Sequence, residues 1–242
     1  MLRRRALALT VFALVGFASF AGAQAPQGGG ARAGAPAAGA PPAGARGGGA
    51  ARRPALFFKE EWKQNEKNDE HPITQAAVAN PNLELKLYGP SSEHLQITGR
   101  AGDENNPIHV WSGECTSGCA VLLRDKTSFA DLTGLARIRW NTKMSGFHQI
   151  RPIVKLADGN MYVGDKADGS SRDWIVSEIS FADLKWLKID PARVVTTGNF
   201  VAVDLSKVDE VGFVDLMPGS GHGAGGWVDV AEIEVYANKV AR

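Results

Sequence analysis

The second half of this 242-residue chain combines aromatic side chains with side chains that form several hydrogen bonds. Aromatic rings stack on the C–H faces of sugars, while guanidinium, amide and imidazole groups bind the hydroxyls. The alternating segment 136–142 predicts a strand with Trp140 on one face and Arg139 and Asn141 on the other. We expect Arg139 and Asn141 to form a ligand-binding surface with residues of the neighbouring segments, namely His148, Arg151, Tyr162 and Trp174. The alternative is structural, with Tyr162 and Trp174 in the core and the arginines solvated.

A glycine-rich segment, Met217–Trp227, has His222 at its centre. Its backbone can approach a ligand closely, so we expect His222 to lie at the edge of the binding surface. The segment is not a phosphate-binding loop, because neither Lys-Ser/Thr nor a helix follows it. The alternative is a flexible connection between two strands.

The carboxylates offer no defined catalytic pair. A glycosidase needs two carboxylates at a fixed separation, and no spacing singles out two among Asp173, Glu178, Asp215, Asp229, Glu232 and Glu234. A serine nucleophile would favour Gly-x-Ser-x-Gly between a strand and a helix, and Pro218–His222 lacks that frame. A non-catalytic role is therefore favoured, and a weak hydrolase is the further alternative.

The two cysteines, Cys115 and Cys119, are separated by Thr-Ser-Gly. In an oxidising compartment this spacing predicts a small-loop disulfide, with free thiols as the alternative. A metal site with His109 is a third interpretation, but no second cysteine pair or His-x-x-x-His supplies the remaining ligands.

The N-terminus resembles a targeting segment. Arg3–Arg5 precede an apolar run, Ala6–Phe20, which ends in Ala21–Ala23. This order is typical of a secretory signal peptide over residues 1–23. The run is shorter than the ~20 residues that a membrane span needs, and no later stretch qualifies. We expect a secreted or periplasmic protein.

Composition divides the remainder into a linker and one domain. Residues 24–53 are almost entirely Gly, Ala, Pro and Arg, which predicts a disordered linker because nothing large and apolar can be buried. Residues 54–242 carry 20 basic and 26 acidic side chains. This excess of acid disfavours nucleic-acid binding, since phosphate neutralisation supplies most of that affinity. About 190 residues suffice for a single well-buried domain.

Short alternating segments between turn residues predict an all-β fold. Leu83–Leu87 alternates cleanly, and Asp158–Gly159 predicts a hairpin turn between two strands. Phe57–Lys67 is predicted as a short amphipathic helix. Many short strands of this kind favour a jelly-roll β-sandwich with a short N-terminal helix.

Four segments carry a resemblance to a known superfamily. They are DLTGLARIRW from Asp131, WIVSEISFADLKW from Trp174, DLSKVDEVGF from Asp204 and WVDVAEIEVY from Trp227. Their order and spacing resemble galactose-binding-like β-sandwich domains: family 11 carbohydrate-binding modules, CIA30-like domains and discoidin-like domains. The resemblance covers about residues 131–236. It implies a secreted carbohydrate-binding sandwich with a polysaccharide or glycan ligand. The CIA30-like relatives imply the alternative, an envelope assembly protein that binds another protein.

The resemblance also raises the question of calcium. Related modules often end in an Asp-Asn-Ile pattern whose Asp ligates calcium, and Ala231–Ile233 occupies that place here. Strict alternation puts Asp229 on the same inward face as Ala231, Ile233 and Val235. Asp229 is therefore the candidate ligand of a structural calcium, with a plain acid at the strand end as the alternative.

Overall fold

The described residues of this computed structural model are 52–64, 73–217 and 226–242, and they form fifteen strands and three single 3-10 turns. In chain order the strands are β1 Leu56–Glu60, β2 Leu83–Tyr88, β3 Gln96–Thr98, β4 His109–Trp111, β5 Cys119–Asp125, β6 Ser128–Asp131, β7 Arg137–Ser145, β8 Ile150–Leu156, β9 Met161–Gly164, β10 Ile175–Ser180, β11 Trp186–Asp190, β12 Val195–Val201, β13 Val208–Asp215, β14 Trp227–Tyr236 and β15 Asn238–Ala241. The 3-10 turns are Gln75–Ala77, Ser92–His94 and Phe181–Asp183.

The strands form two antiparallel sheets. The six-stranded sheet has the order β10-β7-β14-β4-β3, with β1 also pairing with β14. The nine-stranded sheet has the order β12-β11-β9-β8-β13-β5-β2, and β6 and β15 extend it beside β13. One large apolar cluster draws side chains from both sheets. The predicted all-β sandwich is confirmed.

In strand β7 the alternation in the sequence correctly predicts which side chains face the core. Its side chains alternate between half-buried and buried over nine residues without a break. Trp140 faces the core and its indole N–H donates to Asp168 Oδ2 at 2.6 Å. Arg139 and Asn141 face outward, as predicted. The predicted hairpin turn is also confirmed: Gly159 has φ +87° between β8 and β9, and Asn160 N–H donates to the Asp158 carboxylate.

Strand β14 departs from strict alternation through a β-bulge. Val230 pairs with Thr142 on β7, but the next pair is Glu232 with Asn141, which leaves Ala231 as the extra residue. A bulge of this kind reverses the facing of every residue on one side of it. Val228 therefore points into the core and Asp229 points away from it. The prediction that Asp229 shares the inward face of Ile233 is wrong.

The predicted N-terminal helix is also wrong in its described part. Residues 56–60 form β1, which pairs antiparallel with β14, while 65–67 lie outside the described residues. The apolar side chains of Phe57 and Phe58 are both buried. A short amphipathic pattern fits a helix as well as a strand, and here the available edge of β14 decided the outcome, because tertiary pairing overrides weak local propensity.

The predicted signal peptide, residues 1–23, and residues 24–51 of the predicted linker lie outside the described residues. Within the described ranges, none of the helical segments has the length and apolarity to cross a membrane. Export and the boundaries at 24 and 54 stay predictions.

A buried carboxylate ties β1 to the following loop. Glu60 is fully buried and accepts three backbone hydrogen bonds, from Trp62 N at 2.8 Å, Ala79 N at 2.7 Å and Asn80 N at 3.0 Å. These bonds hold together two chain segments that no strand ladder connects.

Glu60→Ala should lower the free energy of unfolding by about 3 kcal/mol, because three backbone N–H groups lose a charged acceptor. Urea denaturation measures the change. Glu61→Ala is the matched control: Glu61 is exposed and pairs with Lys59 on the surface, so its loss should cost less than about 0.5 kcal/mol. Equal effects of the two substitutions would contradict this interpretation of Glu60.

Candidate functional site

A depression of about 300 Å³ lies on the outer face of the six-stranded sheet, where β3, β4 and β14 run side by side. We call it the sheet cleft. Its lining residues are Gln96, Thr98, Asn106, His109, Trp111, Trp227 and Asp229. Two indoles, an imidazole, two amides, a hydroxyl and a carboxyl group thus meet on one surface.

On each of these strands, one buried residue stands between two residues whose side chains face outward and line the cleft. On β4 the buried residue is Val110, and on β14 it is Val228. The cross-strand register then places Trp111 opposite both Gln96 on β3 and Asp229 on β14. Outward side chains of adjacent strands therefore stand next to one another, as paired residues in a sheet must.

Asp229 lies at the floor of the cleft with only 8% of its side chain exposed. One carboxylate oxygen, Oδ2, accepts a hydrogen bond from Trp227 Nε1 at 2.7 Å, and the other, Oδ1, is buried without a hydrogen-bond partner. Burial raises the pKa of Asp229 from its ordinary value of 3.8 to about 7, against the opposing effects of the Trp227 hydrogen bond and the positive charge of Lys143.

His109 stands beside Asp229. Its Nδ1 lies 2.7 Å from the carbonyl oxygen of Pro107, and its Nε2 lies 3.5 Å from Asp229 Oδ1. Burial lowers the pKa of His109, so the neutral imidazole is favoured at neutral pH.

Trp174 closes one side of this group. Its ring meets the His109 imidazole edge-on, with the ring centroids 5.1 Å apart, and its indole N–H donates to Asn105 O at 3.1 Å. The structure therefore brings the sequence-predicted Trp174 next to the sheet cleft.

Two further depressions flank the sheet cleft on the same face. One, of about 240 Å³, includes Asn141 and Glu232 in its lining, and Asn141 Oδ1 is buried without a hydrogen-bond partner. The other, of about 480 Å³, shares Trp227 with the cleft and includes Lys143. Arg139 lies further along this face, where its guanidinium donates to Glu234 Oε2 at 2.8 Å. Arg139, Asn141 and Trp174 thus share one face of the sheet.

The remaining predicted ligand residues lie elsewhere. Arg151 faces outward from the nine-stranded sheet, in a depression of about 160 Å³ beside Phe147. Tyr162 packs against the main core. His148 is buried, with Nδ1 2.6 Å from Asp215 Oδ2. His222 lies outside the described residues.

The reason for this scatter is topological. Strands β7 and β8 follow one another in the chain, but β7 belongs to the six-stranded sheet and β8 to the nine-stranded sheet. Arg139 and Arg151 therefore point away from opposite faces of the sandwich. The predicted single surface containing both is wrong, and a ligand role for Arg151 or Tyr162 stays a prediction.

Cys115 and Cys119 are both buried and are not joined by a disulfide in this structure. Hydrogen bonding with Cys115, together with burial, raises the pKa of the Cys119 thiol. The side chains are thus close neighbours, and the disulfide stays a prediction for the oxidised protein.

Neither of the metal sites considered from the sequence has a set of ligands among the described residues. Among residues 52–64, 73–217 and 226–242, no group of three or more His, Cys, Asp or Glu side chains is arranged to hold a metal ion. Asp229 is flanked by an indole N–H and an imidazole, whereas calcium prefers several oxygen ligands. The described surroundings of Asp229 therefore do not fit the predicted calcium site.

Sequence reasoning overlooked most of the cleft. Gln96, Thr98, Trp111 and Trp227 were not predicted, and His109 was considered only as a metal ligand. A signal does exist in His109-Val-Trp111 and Trp227-Val-Asp229, where a single valine separates two chemically active side chains. Three residues show alternation too briefly to reveal which strands lie next to each other.

No protein-family model matches the chain, and no curated protein matches its sequence. Solved structures do resemble it. A family 11 carbohydrate-binding module from Clostridium thermocellum, in complex with a β-1,3-1,4-mixed-linked tetrasaccharide, is 13% identical with a TM-score of 0.42, over 74% of this chain and 96% of the module. A variant family 29 carbohydrate-binding module complexed with cellulohexaose is 14% identical with a TM-score of 0.39, over 68% and 88%. The likeness concerns the fold alone.

Asp229→Asn should stabilise the protein at alkaline pH. Between pH 3.8 and about pH 7 the unfolded chain loses the Asp229 proton while the native state retains it, so Asp229 makes stability fall as pH rises. Above pH 7 the full cost, at most about 4 kcal/mol, is present. We expect the variant to exceed the wild type in unfolding free energy at pH 8 and to match it near pH 4, measured by urea denaturation.

The control is Asp173→Asn, which alters an exposed carboxylate. It should change stability little at either pH. A pH-independent effect of Asp229→Asn would contradict the retained proton.

Proposed function

We propose that this protein is an exported, non-catalytic carbohydrate-binding β-sandwich whose ligand occupies the sheet cleft. One observation carries the proposal: two outward indoles, Trp111 and Trp227, border a buried carboxylate oxygen of Asp229 that has no hydrogen-bond partner. Buried polar atoms are nearly always paired, so an unpaired one in an aromatic-lined cleft is an atom that a ligand can satisfy.

The two indoles are held in place before any ligand arrives. Trp227 is fixed by its N–H bond to Asp229. Trp111 rests on the backbone of Gly113: a Cβ at that position would lie 2.1 Å from its Cζ2. Rings held in this way lose little freedom when a sugar stacks on them, which favours affinity.

Hydroxyl groups would find both donors and acceptors around these rings. The amides of Gln96 and Asn106 and the hydroxyl of Thr98 can each donate and accept. A sugar presents hydroxyls around an apolar ring face, and this combination of aromatic and amphoteric polar groups is complementary to it.

Export is a part of the proposal that rests on sequence alone, through the basic, apolar and small-residue order of residues 1–23. Determining the N-terminal residue of protein recovered outside the cytoplasm tests it. An uncleaved Met1 start would contradict a removed signal peptide.

Trp111→Ala and Trp227→Ala should each weaken polysaccharide binding at least about tenfold, because each removes a stacking surface worth about 1.4 kcal/mol or more. Affinity electrophoresis through gels containing mixed-linked β-glucan, a soluble cellulose derivative or xylan measures the retardation. Isothermal calorimetry with the mixed-linked tetrasaccharide and cellulohexaose gives the affinity.

Phe147→Ala is the matched control, because Phe147 is an 86% exposed aromatic residue beside Arg151 and outside the cleft. It should leave retardation unchanged. Loss of binding in this variant alone would move the site to the Arg151 depression. If no polysaccharide retards the protein and one protein partner is recovered stoichiometrically, the protein-binding alternative replaces this proposal.

Gly113→Ala should reduce binding without removing either indole, because the added methyl group displaces the Trp111 ring from its resting place. We expect a near-UV circular dichroism change and a several-fold loss of affinity. Wild-type affinity with an altered Trp111 environment would show that Trp111 does not contact the ligand.

A further inference from the structure

His109 and Asp229 face each other at the floor of the cleft through two atoms that are both acceptors when the imidazole is neutral and the carboxylate is ionised. A carbonyl oxygen has no hydrogen to donate, so the 2.7 Å contact with Pro107 O requires the proton on His109 Nδ1. A neutral imidazole has one N–H, which leaves Nε2 as an acceptor. That Nε2 lies 3.5 Å from Asp229 Oδ1, the carboxylate oxygen without a hydrogen-bond partner.

Two buried acceptors in this position need a hydrogen between them. With an ionised Asp229, the lone pair of Nε2 would face a negative oxygen 3.5 Å away, and the buried Oδ1 would remain without a hydrogen-bond donor at a desolvation cost. One proton on Asp229 Oδ1 removes this repulsion, because the carboxylic acid then presents its O–H toward Nε2, 3.5 Å away. Burial favours the neutral form of both partners, since it raises the pKa of Asp229 to about 7 and lowers the pKa of His109.

Several charged groups lie on the strands and loops that surround the His109–Asp229 pair. Lys143, opposite Asp229 on β7, lowers the pKa of both Asp229 and His109 by its positive charge. Arg172, in the loop before β10, lines the neighbouring depression with Lys143. Glu232 on β14 is paired with Lys59 at 3.0 Å. The third lining strand, β3, contributes only the uncharged Gln96 and Thr98.

We propose that the His109–Asp229 pair is the hydroxyl-recognition centre of the cleft, and that ligand hydroxyls replace the shared proton, so that each binding event releases one proton. This inference rests on the proposed carbohydrate-binding function. One ligand hydroxyl donates to Asp229 Oδ1 and an adjacent hydroxyl donates to His109 Nε2. The Asp229 O–H bond breaks, its proton passes to the buffer, and no other covalent bond changes.

The geometry also selects the ligand class. The centre requires two neighbouring O–H donors, as on a neutral sugar with adjacent free hydroxyls. An anionic sugar that placed its carboxylate or sulfate there would be repelled by Asp229 once that group has released its proton, and a methylated hydroxyl would supply no donor. The occupant is therefore a neutral glycan with a free diol at this position.

Calorimetric titration with the mixed-linked tetrasaccharide tests the inference. At pH 6, titrations in two buffers that differ in ionisation enthalpy should show release of close to one proton per ligand. At pH 8.5 the release should approach zero, because the pair is already deprotonated. The affinity should rise nearly tenfold per pH unit below pH 6 and level off above pH 8.

Three variants separate this role from a structural one. Asp229→Asn supplies a permanent amide donor to Nε2, so binding should be weak, independent of pH and without proton release. Lys143→Gln should move the pH profile upward while one proton is still released at low pH, since the group that favours the deprotonated pair is gone. Glu178→Gln alters an exposed carboxylate paired with Arg137 on β7 and should leave the profile unchanged.

The two proposals fail in different ways. Saccharide binding without proton release, or with wild-type pH dependence in Asp229→Asn, would overturn the proton-linked recognition and leave carbohydrate binding intact. Absence of binding to every saccharide at pH 8.5 would overturn both.

Discussion

The bulge in β14 decides which side chains of the central strand reach solvent. Between Val230 and Glu232 the pairing with β7 slips by one residue, and Ala231 takes up the difference. Ile233 and Val235 on one side of the bulge and Val228 and Val230 on the other can therefore all face the core. The same slip turns Trp227 and Asp229 outward, beside Trp111. Without it, a core that accepted Ile233 would also have to accept Asp229, and the cleft would lose its floor.

The buried Asp229 oxygen without a hydrogen-bond donor is an energetic cost, and it lies in the cleft, where a ligand can remove that cost. Asp229 keeps one oxygen without a donor, and burial raises its pKa to about 7. Departures from full hydrogen-bond satisfaction are common at functional sites, and the surrounding structure compensates for them. Here the compensation is extensive, because the two sheets enclose a continuous apolar core and Ser112 joins them through hydrogen bonds to Asp215 and Val228.

The outer face of the nine-stranded sheet offers a contrast. Several of its charged groups are matched: Arg124 lies 3.0 Å from Asp209, and Lys155 lies 3.0 Å from Glu210, which also accepts from the Tyr88 hydroxyl. Pairs of this kind satisfy one another and leave little for a ligand to contribute. The six-stranded face carries matched pairs too, such as Arg139 with Glu234, further along the face from the cleft. The position of the unsatisfied carboxylate thus distinguishes the two faces.

The sequence by itself determined the properties that depend on neighbours in the chain. Alternation in β7 placed Trp140 inside and Arg139 outside, and Asp158–Gly159 marked its hairpin, because side-chain facing and turn geometry repeat over a few residues. Together with the resemblance, these segments were enough for an all-β sandwich. The sequence also predicted that Arg139, Asn141 and Trp174 share one face of a sheet.

Only the tertiary structure decided which strands became neighbours. It converted the predicted helix at Phe57 into β1 by offering an edge of β14, and it divided β7 and β8 between two sheets, which separated Arg139 from Arg151. It also introduced the bulge that moved Asp229 from the core to the cleft. Strand pairing is set by contacts between residues distant in the chain. The alternating pattern of one strand does not show which strand lies beside it.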